Sequence, residues 1–343
     1  MSAREWLAAN RVGMIAMGIF VSLVLVGAGF LAYTGLRTNL LRDGSFRLQP
    51  AVVEPSGDPF TTLPLYVDPH SQTVAAAAAD SRFDALARVA QAKWFSDWST
   101  TDTIASDLGT YLAGATARHE LPVAVFYRIP SRDCGGYAEG GARDDSEYRT
   151  WVDRAASAVQ GRPLVVVLEP DSIGMLGRCS DPGAQAALLG YAVHALARAG
   201  VWVYLDGGHS DWQSPEVMAK RLKQADVAEA RGFATNVANY RPTADELDYG
   251  MQVSTALTTL GVKDKRFVVD TGRNGAPVAK GGWCNPKGAR IGRAPALVFD
   301  GLNDGFLWIK DPGETDGTCR GGPPSGFWDE LALMLLGQPS RLD

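Results

Sequence analysis

Residues 163–171 read Pro-Leu-Val-Val-Val-Leu-Glu-Pro-Asp, and this run decides the fold. Its centre has no polar alternation, as expected of a strand covered on both faces, and it ends abruptly in Glu169 and Asp171. Working outward, residues 123–127, 201–207, 233–240, 266–272 and 306–310 are also strand-like, while 74–91, 147–160, 182–199, 214–229, 243–260 and 325–336 have helical length and composition. Such alternation predicts an α/β fold with a parallel sheet. The strands end in polar groups: Asp133, Asp171, Asp206 with His209, Asn236 with Asn239, Asp270 with Arg273, then Lys310, Glu314 and Asp316. A β/α barrel brings the C-terminal ends of its strands to one mouth, so a barrel is preferred to an open doubly wound sheet.

The chain has 343 residues, 46% of them hydrophobic, enough for one large or two small domains. Its formal charge of -5 offers no basic stripe to neutralise phosphates, which argues against nucleic acid as a partner. Nine Trp, several in polar Gly-rich contexts, suit stacking against flat ligand faces. The four cysteines Cys134, Cys179, Cys284 and Cys319 form no CxxC pair and have no His at ligand spacing, so two disulfides are a better reading than zinc. Four cysteines allow three pairings. With only four His in the chain, neither a metal nor another cofactor is expected.

Residues 12–36 are uncharged and long enough to cross a bilayer as a helix. Residues 1–36 are read as a signal anchor or a cleaved signal peptide, 37–57 as a Gly/Pro-interrupted linker and 58–343 as the functional domain. Arginines flank the hydrophobic stretch on both sides, so charge does not orient it; the cysteines place the C-terminal part outside the cell.

Three carboxylates have a setting suited to acid/base work. Asp171 ends a buried strand, where desolvation and neighbouring carboxylates would raise its pKa and make it a proton donor to an acetal oxygen; the alternative is a helix N-cap, since Ser172 and an apolar stretch follow. Asp133, beside Cys134, either controls the proton on that acid or pairs with Arg132. Asp316 sits with Glu314 after a Pro-Gly turn, as a base or as a solvated acidic turn. His209 and Trp212 read as a polar grip beside a stacking ring, with a core-satisfied His209 as the alternative, and Trp283 offers an aromatic on the loop of Cys284.

These segments, in order, resemble glycoside hydrolase family 6, and specifically its actinobacterial-type catalytic domain. The resemblance is carried by Leu-Tyr-Val-Asp-Pro at 65–69, the run from Tyr127 to Cys134, Leu-Glu-Pro-Asp-Ser at 168–172, the run from Asp206 to Trp212, Ala-Thr-Asn-Val-Ala-Asn-Tyr at 234–240, Val-Asp-Thr-Gly-Arg-Asn-Gly at 269–275, Trp-Cys-Asn-Pro at 283–286 and the run from Trp308 to Gly317. It implies a distorted, TIM-like, seven-stranded parallel barrel that cuts β-1,4-glucan with inversion. It also implies Asp171 as proton donor, Asp133 as the carboxylate that keeps it protonated, Asp316 as base and Tyr127 as the ring crowding the distorted sugar. Trp94, Trp212 and Trp283 match stacking platforms, and Lys310 and Glu314 match residues gripping the neighbouring glucose; His209 and Asn239 join this substrate-binding set. The implied bridges are Cys134 with Cys179 and Cys284 with Cys319. An inverting site leaves room for water, with carboxyl groups about 6.5–9.5 Å apart. Residues 207–211, Gly-Gly-His-Ser-Asp, depart from the family's small-residue run before Trp212. Seven residues separate Asp171 from Cys179, too few for a long tunnel-forming loop, so an open cleft and cutting within chains are expected, with an exo-acting cellobiohydrolase of the same family or a catalytically silent glucan-binding protein as the alternatives. The implied enzyme is an extracellular monomer acting on a polysaccharide, held at the membrane if residues 12–36 are retained.

Overall fold

The computed structural model describes residues 63–342. The expected N-terminal hydrophobic helix, its cleavage and the whole 37–57 linker lie outside the described residues. Among the described residues no helix is long and apolar enough to cross a membrane.

Parallel strands β1 (Lys93–Phe95), β2 (Val123–Phe126), β3 (Val165–Leu168), β4 (Trp202–Asp206), β5 (Gly232–Thr235) and β6 (Arg266–Asp270) lie in chain order and are followed in the sheet by β8 (Asn303–Leu307). Strand β7 (Ala296–Asp300) hangs antiparallel on the outside of β8. The seven parallel strands match the expected number, and the sheet curls without a closing ladder. Its two parallel ends meet at single hydrogen bonds, Ala92 N–H to the Trp308 carbonyl at 2.9 Å and the Trp94 indole to the Ile309 carbonyl at 2.8 Å.

The apolar runs resolve into two alternating sets. Val123, Val125, Val165, Val167, Trp202, Tyr204, Val268 and Leu307 pack together inside the curl. Ala124, Phe126, Val166, Leu168, Val203, Leu205, Phe267 and Phe306 face the helical layer, which explains why β2 and β3 show no polar face. That layer contains α3 (Ile104–Arg118), α4 (Asp145–Val159), α5 (Pro182–Arg198), α6 (Pro215–Gln224) and α7 (Thr243–Thr259), while α1 (Gln72–Ala79), α2 (Asp84–Ala87) and α8 (Asp329–Leu335) pack in smaller clusters around Trp308 and Tyr240. Caps fix several starts: Asp144, Asp181 and Ser214 accept N–H groups of Glu147, Ala184 and Val217, and Pro182 and Pro215 open their helices.

Three departures from the sequence reading have local causes. The helix expected over 74–91 is broken at Asp80, whose carboxylate accepts the Arg82 N–H. The strands end earlier than their apolar runs, because Glu169 (φ 48°) and Asn236 (φ 63°) turn into the left-handed region. Strands β1 and β7 and helix α3 were not anticipated. Ile104, Leu108, Tyr111, Leu112 and Ala115 form the buried stripe of α3.

Candidate active site

A cleft of about 840 Å³ opens where the parallel strands end. Its walls include every residue proposed as catalytic or substrate-binding, namely Asp171, Asp133, Asp316 and Tyr127, with Trp94, His209, Trp212, Asn239, Trp283, Lys310 and Glu314, while the strand-end groups Asp206, Asn236, Asp270 and Arg273 are buried behind them.

Asp171 follows β3 with φ 68°, a conformation costing roughly 1–2 kcal/mol for a non-glycine residue. What holds it is Asp206 at the end of β4, whose carboxylate accepts the Asp171 N–H at 2.7 Å. Asp171 caps no helix: Asp181 performs that task ten residues later, and the Asp171 side chain is left for the cleft. Desolvation, followed by repulsion from Asp133, pushes its carboxyl up to about 7. Part of the residue faces the cleft, yet packing around the carboxyl is close enough for desolvation to dominate. Asp206 is raised well above the usual carboxylate range, by burial and then by Asp171. Glu169, raised to about 7 by burial, accepts the Arg128 and Ile129 N–H groups and so ties the turn after β3 to the end of β2.

The pairing alternative for Asp133 does not occur. Arg132 turns away to Asp97 (2.9 Å), Ser96 (2.7 Å) and the Tyr127 carbonyl (2.6 Å), and its guanidinium lies 4.3 Å from the centre of the Tyr127 ring. Asp133 accepts the Ala138 N–H at 2.8 Å, and the Cys134–Cys179 bridge staples its loop to the segment following Asp171. The solvated-turn alternative for Asp316 also fails. Its carboxylate accepts bonds from Arg273 (2.8 Å), Tyr240 (2.7 Å) and the Asn285 N–H (2.9 Å), beside the second bridge, Cys284–Cys319.

On one side of the cleft Trp94 meets Tyr127 edge-on at 5.4 Å, and Lys310, paired with Glu314 at 2.8 Å, lies 5.1 Å from the Trp94 ring centre. On the other, His209 lies 5.7 Å from Trp212. His209 is pushed down to about 4 by burial and then by Arg241, so it is neutral near pH 7. Asn239 turns its amide to the Val237 carbonyl, at 3.2 Å. Among the described residues no group of three or more His, Cys, Asp or Glu is arranged to hold a metal ion.

Sequence reasoning missed Trp98, Tyr137, Asp211 and Arg241 as parts of the wall. Trp98 and Tyr137 are both 66% exposed; Tyr137 lies in the Gly-rich run 135–141, the signal already used for Trp283, whereas Trp98 has only polar neighbours to mark it. Tyr137 touches Trp283 across the cleft, ring centroids 5.2 Å apart.

A curled α/β sheet whose strand ends gather a desolvated acid, a second carboxylate and a set of cleft aromatics is the arrangement of a glycoside hydrolase. Residues 60–336 match the model of the glycosyl hydrolases family 6, and the chain belongs to that family. It is 41% identical over 284 residues to endoglucanase A of Cellulomonas fimi, covering 81% of this chain and 62% of that protein. It is likewise 41% identical over 298 residues to endoglucanase 1 of Streptomyces halstedii, covering 82% of this chain and 91% of that protein. The chain thus spans less than two thirds of the Cellulomonas protein's length. The endoglucanase Cel6 of Mycobacterium tuberculosis, solved with a methyl-cellobiosyl thio-cellobioside, superposes with a TM-score of 0.76 at 37% identity, covering 82% of this chain and 99% of that one.

Proposed function

We propose that the chain hydrolyses internal β-1,4-glucosidic bonds of cellulose or a related β-glucan, with inversion. The observation that carries this reading is Asp171, a carboxyl held protonated by burial and by Asp133 in a cleft walled with aromatic rings. An acetal is inert to base and requires a proton on its leaving oxygen, which Asp171 supplies. Asp133 controls that proton, and Tyr127 crowds the sugar at the cleavage point. Asp316 orients or activates the water; both its oxygens already accept donors, which limits its access to one. Trp94, Lys310 and Glu314 grip glucose on the glycone side, while Trp212 and Trp283, with His209 and Asn239, receive the aglycone. Endoglucanase relatives support cutting within chains. Two disulfides support an extracellular site of action, secreted or tethered through residues 12–36.

The Tyr137–Trp283 contact favours a second reading, a partly roofed cleft that releases cellobiose from chain ends. Viscosity and reducing ends followed together on soluble carboxymethyl cellulose separate the two. Early viscosity loss is expected; slow loss alongside steady cellobiose release would favour the chain-end reading.

The pH profile follows from the same acid. Donation requires protonated Asp171, so kcat/KM on cellohexaose should fall as pH rises through about 7. Asp133→Asn removes the repulsion that adds to desolvation, and the falling limb of its residual activity should move to lower pH. A limb that stays in place would remove Asp133 from control of the proton.

A further inference from the structure

Asp211 is the charged residue within the stretch that departs from the family pattern, and its side chain is only 14% exposed. One of its oxygens accepts the Gly281 N–H at 3.2 Å and an Arg241 N–H at 3.3 Å. The other faces Lys280 at 3.1 Å, but that lysine is 88% exposed and its pairing is worth little. Arg241, itself buried, spends its remaining reach on the carbonyls of Ala279 and Gly282, both at 3.3 Å. The turn 279–282 is closed by Gly282 N–H to Ala279 O at 2.8 Å, with Gly281 at φ 71°. Asp211 and Arg241 therefore hold both ends of that turn, through backbone groups. The next residue is Trp283, and after it Cys284 is fixed by its disulfide. Trp283 is thus clamped between two anchors, while Asp211 is covalently next to Trp212.

We propose that the Asp211–Arg241 pair is a positioning device that sets the spacing of Trp212 and Trp283, and thereby the affinity for glucose units on the aglycone side. The proposal rests on the reading of these two rings as stacking platforms. A charged pair engaging four backbone and side-chain groups fixes a turn more firmly than a small residue at 211 could, because hydrogen bonds to ionised groups are the stronger ones.

Steady-state kinetics on cellohexaose, which lays glucose units on the aglycone platforms, and on an aryl cellobioside, which places one aryl ring and no glucose unit there, test this. Asp211→Ala is expected to raise KM for cellohexaose about tenfold, with a much smaller change in kcat and in both parameters for the aryl cellobioside. Asp211→Asn, which keeps an acceptor for the Gly281 N–H but loses the charge facing Arg241, should recover part of the loss. Combining Asp211→Ala with Trp283→Ala should cost no more than Trp283→Ala alone, since one platform is lost by either route. Equal losses on both substrates, or additive losses in the double variant, would mark Asp211 as merely structural and overturn the proposal. If Trp283→Ala is costly and Asp211→Ala silent, the proposal fails alone. If Trp283→Ala is silent, the platform reading fails and takes the proposal with it.

Discussion

Replacing Asp171 by alanine is expected to lower kcat on cellohexaose by about 10²–10⁴-fold, the range contributed by a positioned general acid. The loss should be much smaller on an aryl cellobioside with an activated leaving group, because a stable phenolate departs without the proton. The contrast between substrates is the informative quantity. The turn at Asp171 is unusual, with φ 68° and its N–H bonded to Asp206, so any substitution there perturbs backbone as well as chemistry. Asp171→Asn keeps shape and backbone bond while lacking the transferable proton, and it should reproduce the contrast. A variant that loses activity equally on both substrates would be reporting a collapsed turn, and Asp171 would lose the role of proton donor. The assignment also predicts which neighbour matters most. Asp206 shapes the turn, whereas Asp133 raises the Asp171 carboxyl through charge, so Asp133→Asn should change the pH profile.

The fold was legible where the apolar code was long. Val165, Val166 and Val167 belong to different layers, yet both layers are dry, so a continuous apolar run suffices to mark a parallel strand. Strand β1 escaped because three residues, Lys93, Trp94 and Phe95, are too short a window for any period. Helix α3 carried the right spacing, but Gly109 and Gly114 dilute its composition. The chemistry was legible as residue types and their order, and the alternatives for Asp133, Asp171 and Asp316 could not be resolved at that level. For Asp171 the answer was local, since Asp181 takes the cap just before Pro182; for the other two it is partner choice across long sequence separations, Arg132 selecting Asp97 and Arg273 reaching Asp316. A pairing of groups dozens of residues apart leaves no local trace. Tyr137 and Trp283 illustrate the same limit, being placed 5.2 Å apart by two stapled loops that begin on different strands.

The second large effect is expected at Arg273, which touches the cleft only through its partner. Its side chain is 1% exposed, and it donates to Asp316 at 2.8 Å and to the Ala238 carbonyl at 2.5 Å, with its guanidinium 4.3 Å from the centre of the Tyr240 ring. Arg273→Ala would leave the Asp316 carboxylate, 7% exposed, with only the Tyr240 hydroxyl and the Asn285 N–H for support. Removing one partner of a buried ion pair costs about 3–5 kcal/mol, because the survivor keeps its desolvation penalty and loses its compensation. Urea unfolding of the chain should register a loss of that size, and a loss below about 1 kcal/mol would contradict the pairing. Arg273→Lys keeps the charge but not the planar fork that reaches Asp316 and Ala238 together, so an intermediate loss is expected. Pairing Arg273→Met with Asp316→Asn removes both charges, and it should recover much of the stability lost by Arg273→Ala. Activity should not return with it: the arginine serves the fold by compensating Asp316, and on the role proposed for Asp316 an amide cannot replace the carboxylate that orients or activates the water.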